Sequence, residues 1–272
     1  MKLNHIPAKN VITPSKLPGI DFAVNPYVGC PHRCRYCYAT FMKRFTNHSE
    51  PWGTFLDVKE FPPIPHPEKF HGKSLVFSSA TDAYNSYEAH FQKTRSILEQ
   101  LIGVGAHITI LTKSDLILRD LDLFERLHAD ELLGNGSLTC AFSINTLDET
   151  FRQQMDCASP IPARLHALKT LHEAGLSTAI FISPIFPGIT RVTEIVPAAR
   201  EFCDEFWLEN LNLRGEFKSV ILRFIREKYP QYWPIYETIY LKNDISFWES
   251  LRLKLEAFAR DAGVSMTNFF HY

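Results

Sequence analysis

The chain has 272 residues, of which 45% are hydrophobic and 22% are charged. A chain of this length and composition can bury a full-sized core in one α/β domain, which excludes an intrinsically disordered protein. Lys and Arg number 29 against 30 for Asp and Glu. The overall charge therefore gives no reason to expect tight binding to nucleic acid or to an anionic membrane.

The chain begins MKLNHIP, which lacks the apolar core of a signal sequence. Its most apolar stretch, residues 178–186, is too short to span a bilayer and contains Pro184. These features predict a cytoplasmic protein with no membrane partner. Thiols stay reduced in that compartment, so a group of cysteines there indicates a metal or catalytic site rather than disulfides.

Short apolar runs alternate with helical patterns along most of the chain. The predicted strands cover residues 21–25, 74–78, 107–112, 138–144, 177–182 and 205–211. The predicted helices cover residues 88–102, 115–127, 162–174 and 190–203. Six strand–helix units imply a parallel sheet but are too few for a closed eight-fold barrel. The pattern predicts an α/β fold, an open partial (β/α)6 TIM-type barrel.

Two segments fall outside this alternation. Residues 50–72 are rich in proline and are predicted to form a long loop. Residues 216–262 have a helical pattern, which predicts a C-terminal helical extension packed on the barrel. We therefore expect a barrel domain at residues 1–215 and an extension at residues 216–272.

Three cysteines lie within eight residues, as Cys30, Cys34 and Cys37. Three thiolates at C-x3-C-x2-C spacing can hold one cubane cluster and leave its fourth iron open to a ligand. His32 and the adjacent arginines place positive charge beside these thiols, which favours the thiolate form. The alternative is a structural zinc site that uses His32 with the three cysteines, although four ligands in eight residues is cramped for zinc.

Residues 25–39 read NPYVGCPHRCRYCYA, and further motifs follow in SATDAY (79–84), LTKS (111–114), LRD (118–120), FSINT (142–146) and PIFPG (184–188). This set of motifs resembles the radical S-adenosylmethionine (SAM) superfamily. Within it, the pattern is similar to the spore photoproduct lyase-like branch, often labelled DNA repair photolyases. The resemblance extends over roughly residues 20–215.

The resemblance implies a [4Fe–4S] cluster on Cys30, Cys34 and Cys37, with the amino and carboxylate groups of SAM on the open iron. It also implies an external one-electron reductant of the flavodoxin or ferredoxin type. Reductive cleavage of SAM would release a 5′-deoxyadenosyl radical that abstracts hydrogen from a substrate. The protein's part in such chemistry is to orient the cofactors and to exclude competing reactions.

The resemblance also implies a set of SAM-binding residues, which are Tyr36, Tyr38, Thr81, Asp82, Lys113, Ser143 and Glu209. Several have a structural alternative. Lys113 could be a surface residue at a helix start, Ser143 an ordinary hydrogen-bonding residue at a strand end, and Glu209 an ion-pair partner of Arg214.

Spore photoproduct lyases resemble this chain but place a hydrogen-donating cysteine just before the Thr–Asp element. The corresponding residues 78–82 read SSATD, without a cysteine. A serine hydroxyl is a poor hydrogen donor, so repair of a thymine dimer is not expected. Cys140 is an alternative donor, although a buried core cysteine is the more common situation.

Other functions stay open. A radical SAM enzyme that modifies peptides or proteins is one, although the auxiliary cysteine clusters common in such enzymes would need cysteines after Cys203. A non-catalytic iron–sulfur redox module is another. Nucleic acid stays an open partner because basic residues and tyrosines are interleaved over residues 214–236, although such a run is more often a solvated helix face.

Overall fold

The structure, a computed structural model, describes residues 1–215 and 217–272. In chain order the strands are β1 (Lys2–Pro7), β2 (Ile12–Pro14), β3 (Phe22–Val24), β4 (Tyr27–Val28), β5 (Phe55–Glu60), β6 (Ser74–Phe77), β7 (His107–Thr112), β8 (Ser137–Ser143), β9 (Ser177–Ile185), β10 (Glu205–Asn210) and β11 (Ser265–Asn268). The helices are α1 (Glu88–Phe91), α2 (Lys93–Leu101), α3 (Leu121–Leu132), α4 (Glu149–Met155), α5 (Ile161–Glu173), α6 (Val192–Ala199), α7 (Phe217–Lys228), α8 (Trp233–Tyr240) and α9 (Ser246–Ala262). Short 3-10 helices cover Tyr38–Phe45, Pro67–Phe70, Asp115–Asp120 and Pro230–Tyr232.

An eight-stranded sheet forms the centre of the fold, in the order β11-β10-β9-β8-β7-β6-β3-β2. Neighbouring strands are parallel except for the antiparallel pair β2–β3. Parallel neighbours need crossover connections, and α2, α3, α5 and α6 lie in the segments that make them. Within the described residues, β2 and β11 are unpaired edges and the sheet does not close. The predicted α/β fold, an open partial TIM-type barrel, is confirmed.

A smaller sheet, in the order β1-β5-β4, lies apart from the main one. Strand β5 pairs in parallel with β1 and antiparallel with β4. The chain leaves β4 directly into the cysteine segment, so this small sheet determines where that segment begins.

The core lies between the central strands and the helices that follow them. Ile110, Phe142, Ile182 and Phe206 come from four adjacent strands and are fully buried. Burying a side chain of this size stabilises the fold by about 1.5–3 kcal/mol. Apolar runs of this kind are what located the strands in the sequence, because strands of a parallel sheet are covered on both faces.

The six predicted strands are found as β3 and β6 to β10, with ends shifted by a few residues. The helical prediction is less accurate. The segment predicted as one helix over 88–102 is two helices separated by Gln92, which has a left-handed φ of 50°. Helix α4 was not predicted, and the predicted helix 190–203 is shortened to α6.

The prediction of a loop over residues 50–72 is wrong for residues 55–60, which form β5. Its first four residues are all buried, including Asp57. The His48 ring contacts the Asp57 carboxylate at 2.8 Å, which satisfies this buried acid. Within residues 50–72 one proline precedes the strand and four follow it. This composition obscured a six-residue strand whose pairing partners are distant in sequence.

The predicted C-terminal helical extension is confirmed as α7, α8 and α9. Phe217, Ile221 and Phe224 of α7 are buried in the same core as the barrel strands. The extension also ends in a strand that was not predicted, because β11 pairs with β10 in parallel. Glu216, where the extension was predicted to begin, lies outside the described residues. The division into two domains stays a prediction.

In the part of the chain that the structure describes, no helix is both long enough and apolar enough to cross a membrane.

Candidate cofactor site

The three clustered cysteines lie on one loop between β4 and the 3-10 helix Tyr38–Phe45, which we call the cysteine loop (residues 29–37). Gly29 begins it with a φ of +87°. A Cβ at this position would lie 2.4 Å from the carbonyl oxygen of Phe55, so only glycine fits there. The Thr81 hydroxyl donates a hydrogen bond to the Gly29 carbonyl at 2.5 Å and connects the loop to the main sheet.

The segment after α4 supports the other end of the cysteine loop. The Arg35 amide donates to the Met155 carbonyl at 2.9 Å, and the Cys157 amide donates to the His32 carbonyl at 2.7 Å. These backbone bonds join segments more than 100 residues apart in sequence. The loop is therefore held at one end by the Thr81 side chain and at the other by two backbone bonds.

All three thiols of the loop are partly buried. Burial raises the pKa of Cys30 to about 12 and raises the pKa values of Cys34 and Cys37 as well. The Lys113 ammonium acts in the opposite direction on the pKa values of Cys34 and Cys37. Cys30 and Cys37 in turn raise the pKa of Cys34, which indicates that the three thiols lie within electrostatic range of one another.

This donor set fits an iron–sulfur cluster. Buried thiols stay protonated unless positive charge is added, and iron ions bound among them would supply that charge. In residues 1–215 and 217–272, no three His, Cys, Asp or Glu side chains converge tightly enough to hold a single metal ion. A mononuclear zinc site needs its donors within about 2.3 Å of one point.

Asp82 follows β6 and is buried, and both oxygens of its carboxylate have protein partners. One oxygen accepts hydrogen bonds from the Thr112 hydroxyl at 2.7 Å and the Tyr84 amide at 2.9 Å. The other accepts from the Lys113 amide at 2.8 Å and lies 3.3 Å from Nδ1 of His32. Burial raises the pKa of Asp82, but the His32 charge and the hydrogen bonds outweigh burial and lower it to about 2. Asp82 connects the cysteine loop to the Lys113 backbone.

Lys113 and Ser143 meet at the carboxyl ends of β7 and β8. The Lys113 ammonium donates to the Ser143 hydroxyl at 2.6 Å and lies 5.7 Å from the centre of the Tyr36 ring. Ser143 is buried, and its hydroxyl donates to the Ser183 carbonyl at 3.3 Å. This arrangement places a cation between the cysteine loop and the ends of the strands.

Tyr36 and Tyr38 have different environments. The Tyr36 ring is buried edge-on against Phe186, with 5.6 Å between ring centres, and its hydroxyl lies 3.4 Å from the Asp156 carboxylate. The Tyr38 ring is exposed, and its hydroxyl donates to the Ser79 carbonyl. Tyr36 therefore packs the loop against the core, whereas Tyr38 extends over the end of β6.

Glu209, near the end of β10, accepts a hydrogen bond from the Ser183 hydroxyl. Its other carboxylate oxygen lies 3.0 Å from Nε2 of His271. The alternative partner, Arg214, instead donates to the Asn212 side chain at 2.9 Å. Glu209 also lies close enough to act electrostatically on the Tyr38 phenol.

The structure thus brings the candidate residues together at the carboxyl edge of the sheet, but in two groups. Thr81 and Asp82 are occupied by protein partners. Lys113, Ser143 and Glu209 lie at strand ends and bond to one another's neighbours there, with Lys113 on Ser143 and Glu209 on Ser183 and His271. Ligands of parallel sheets bind at this edge, so the location agrees with a cofactor site.

Sequence reasoning missed a buried ion pair below this edge. The Arg164 guanidinium is fully buried, donates to the Ser143 carbonyl at 3.0 Å and pairs with Asp156 at 2.9 Å. His271, the partner of Glu209, was missed as well. Neither residue belongs to a motif, and both meet their partners only through the tertiary fold.

The comparisons with known proteins identify the family. Residues 24–196 match the model of the radical SAM superfamily. An uncharacterized protein of Methanocaldococcus jannaschii is 37% identical over 234 residues, which are 85% of this chain and 85% of that protein. The chain belongs to the radical SAM superfamily and is an enzyme of that class.

Solved structures with a similar fold include two radical SAM enzymes. Spore photoproduct lyase in complex with dinucleoside spore photoproduct matches with a TM-score of 0.57 and 17% identity, over 84% of this chain and 66% of that one. Streptococcus suis SuiB bound to S-adenosylmethionine matches with a TM-score of 0.58 and 13% identity, over 92% of this chain and 50% of that one. At these identities the similarity shows a shared fold and leaves the substrate open.

Proposed function

We propose that this chain holds a [4Fe–4S] cluster on Cys30, Cys34 and Cys37, binds SAM beside it, and abstracts hydrogen from a substrate that is still to be identified. The observation that supports this most directly is the location of Lys113. Its ammonium acts on two of the three buried thiols and donates to Ser143 at the strand ends. When bound, the cluster would supply the electron that cleaves the SAM sulfonium.

Lys113 and Ser143 are the residues we propose for the polar end of SAM. An ammonium is a strong hydrogen-bond donor to a carboxylate, because charge-assisted hydrogen bonds contribute about 1.5–3 kcal/mol. Glu209 would accept from the SAM amine or from a ribose hydroxyl, and Tyr38 would lie beside the cofactor. Each of these groups faces the carboxyl edge of the sheet.

For Thr81 and Asp82 we propose a positioning role instead of direct contact with SAM. Their side chains bond to the Gly29 carbonyl, to His32, to the Tyr84 amide and to the segment 112–113. They hold the cysteine loop and the Lys113 backbone at a constant separation. Tyr36, with its ring against Phe186, would hold the loop from the opposite side.

Repair of a thymine dimer is not part of the proposal. Residues 78–82 contain no thiol, and Cys140 is fully buried in the middle of β8. A core cysteine that no substrate can reach is unsuited to quench a product radical. The reaction is therefore proposed as SAM-dependent hydrogen abstraction, driven by an external one-electron donor of the flavodoxin or ferredoxin type.

The test is anaerobic reconstitution with iron and sulfide, reduction with dithionite, addition of SAM, and quantification of 5′-deoxyadenosine. The expected result is about four irons per chain and formation of 5′-deoxyadenosine. The variant Cys34→Ala should lose both. The matched control is Cys203→Ala, which removes a buried cysteine far from the loop in sequence and should keep both.

Two results would contradict the proposal. One is zinc instead of iron in protein purified without oxygen. The other is a full complement of iron without any SAM binding in calorimetry, which would indicate a redox module.

A further inference from the structure

A row of polar groups crosses the carboxyl ends of four adjacent strands, from β7 to β10. The Lys113 ammonium donates to the Ser143 hydroxyl at 2.6 Å, and that hydroxyl donates to the Ser183 carbonyl on β9 at 3.3 Å. The Ser183 hydroxyl then donates to Glu209 on β10, and Glu209 contacts the His271 ring. We call these five residues the strand-end row. Its cation and its carboxylate are joined through two serines.

The last member of the strand-end row comes from the segment after β11 (residues 269–272), which we call the tail. The Phe269 amide donates to the Leu208 carbonyl at 2.8 Å and so continues the pairing of β11 with β10. Asn210 is buried and binds the tail with its side-chain amide. It donates to the His271 carbonyl and accepts from the His271 amide, both at 2.8 Å. The backbone of His271 is therefore fixed at two points beside the end of β10.

Two aromatic contacts hold the tail against the sheet and α9. The Phe269 ring lies edge-on to Phe181 of β9, with 6.3 Å between ring centres. The Phe270 ring lies edge-on to Trp248 of α9, with 5.7 Å between ring centres. Tertiary packing thus determines where His271 lies.

Glu209 keeps acceptor capacity that Asp82 lacks. A carboxylate has about four acceptor positions. Asp82 has four protein partners, and its side chain is 8% exposed. Among the residues that the structure describes, Glu209 has two partners, one on each oxygen, and its side chain is 28% exposed. The Glu209 carboxylate is therefore held by the protein and can still accept hydrogen bonds from a ligand.

His271 acts on Glu209 through one defined atom. Its Nε2 lies 3.0 Å from Oε1 of Glu209. Because a carboxylate only accepts hydrogen bonds, Nε2 carries the hydrogen in this contact. The Ser183 hydroxyl holds the other carboxylate oxygen. Two donors on two oxygens fix the orientation of the carboxylate, and a side chain that is fixed in advance loses less freedom when a ligand binds.

We propose that His271 is a positioning residue for Glu209 and that the tail is part of the SAM site. This inference rests on the proposed function, in which Glu209 accepts from the SAM amine or from a ribose hydroxyl. His271 does not contact SAM itself. Its hydrogen bond holds the Glu209 carboxylate in the orientation that SAM requires, so its loss weakens SAM binding and leaves the cysteine loop unchanged.

The first experiment measures SAM binding to the reconstituted protein by calorimetry. His271→Ala should raise the SAM dissociation constant about five-fold, as expected for the loss of one hydrogen bond, with normal iron content. His271→Gln keeps a side-chain N–H donor and should stay within about two-fold of the wild type. The matched control is His128→Ala, which removes a contact of 3.2 Å between a histidine and Glu131 on α3 and should leave the constant unchanged.

The second experiment tests whether His271 acts through Glu209. Residues that act as one unit show non-additive effects in a double-mutant cycle. Glu209→Ala should weaken SAM binding, and the further change His271→Ala should cause no additional loss. A tail that affects the site independently of Glu209 would instead give the same loss of about five-fold in both backgrounds.

Three results would overturn the role of His271 and leave the proposed function intact, because in each the wild type binds SAM. One is SAM affinity in His271→Ala that equals or exceeds that of the wild type. Another is an additive loss in the double variant. The third is loss of iron together with SAM affinity in His271→Ala, which would assign the tail to cluster assembly. A wild type that holds a full complement of iron but binds no SAM would contradict the proposed function, and the role of His271 with it.

Discussion

The substitution Asp82→Asn removes the charge of a buried carboxylate on which the cysteine loop depends. In the wild type its two oxygens receive the Thr112 hydroxyl, the Tyr84 and Lys113 amides and the His32 ring. Asparagine keeps one oxygen but turns an NH2 group toward the Lys113 amide and His32. That NH2 group, a donor itself, would face two further donors, and the part-buried Lys113 amide would lose its acceptor.

Two estimates of the stability lost in Asp82→Asn agree. Leaving a buried amide without an acceptor costs about 1–3 kcal/mol. The pKa of Asp82 is lowered from 3.8 to about 2, and a shift of that size corresponds to about 2 kcal/mol of stability at neutral pH. We therefore expect Asp82→Asn to lower the free energy of unfolding by about 2–3 kcal/mol at pH 7.

The pH dependence has a definite sign. A carboxyl group whose folded pKa is depressed stabilises the protein above its unfolded pKa, and this contribution disappears as the pH falls through the folded pKa. The difference in stability between wild type and Asp82→Asn should therefore be constant from neutral pH down to about pH 4. It should shrink by roughly 2 kcal/mol between about pH 4 and pH 2.

The assay is urea unfolding of the iron-free protein, followed by tryptophan fluorescence, so that cluster loss does not complicate the transition. The control is Asp122→Asn, which removes an exposed carboxylate paired with Arg95 and should cost about 1 kcal/mol or less. A change at Asp82 no larger than that control would refute the assignment of Asp82 as the residue that holds the loop.

Three further outcomes are expected. Lys113→Met should raise the SAM dissociation constant roughly ten-fold or more in calorimetry while iron content stays normal, because it removes a charge-assisted hydrogen bond; an unchanged constant would exclude Lys113 from the SAM site. Gly29→Ala should reduce the iron content after reconstitution, because the new Cβ would clash with the Phe55 carbonyl. The control Gly19→Ala has a similar φ of +73° but open space around it, so its iron content should equal that of the wild type. Cys140→Ala should cost about 1 kcal/mol in urea unfolding and keep 5′-deoxyadenosine formation; loss of that activity in a stable variant would give Cys140 a catalytic role.

The cysteine loop and the six central strands could be predicted from sequence because local patterns encode them. Apolar runs locate strands of a sheet that is covered on both faces, and parallel strands bring their carboxyl ends to one edge. Lys113 follows β7 and Ser143 ends β8 at that edge. Their approximate placement therefore required no tertiary information.

Short or irregular elements were not predictable in this way. Strand β5 is stabilised by β1 and β4, and β11 by β10, so these strands depend on partners that local sequence does not identify. The strand propensity of a short, proline-rich segment does not reveal such pairing, because a strand is stabilised mainly by the strands beside it.

The tertiary structure alone decided what each polar side chain does. Asp82 and Lys113 both follow strands, yet the carboxylate of Asp82 is saturated by protein donors whereas the ammonium of Lys113 is directed to Ser143. Glu209 meets His271 instead of the nearby Arg214. Hydrogen-bond partners of this kind are 30 to 62 residues apart in sequence, and the position of a side chain on its own element does not specify which distant donor it meets. The sequence thus predicted the loop and the strand ends at which the candidate site lies, and the packing of distant segments determined which protein group each of its polar side chains contacts.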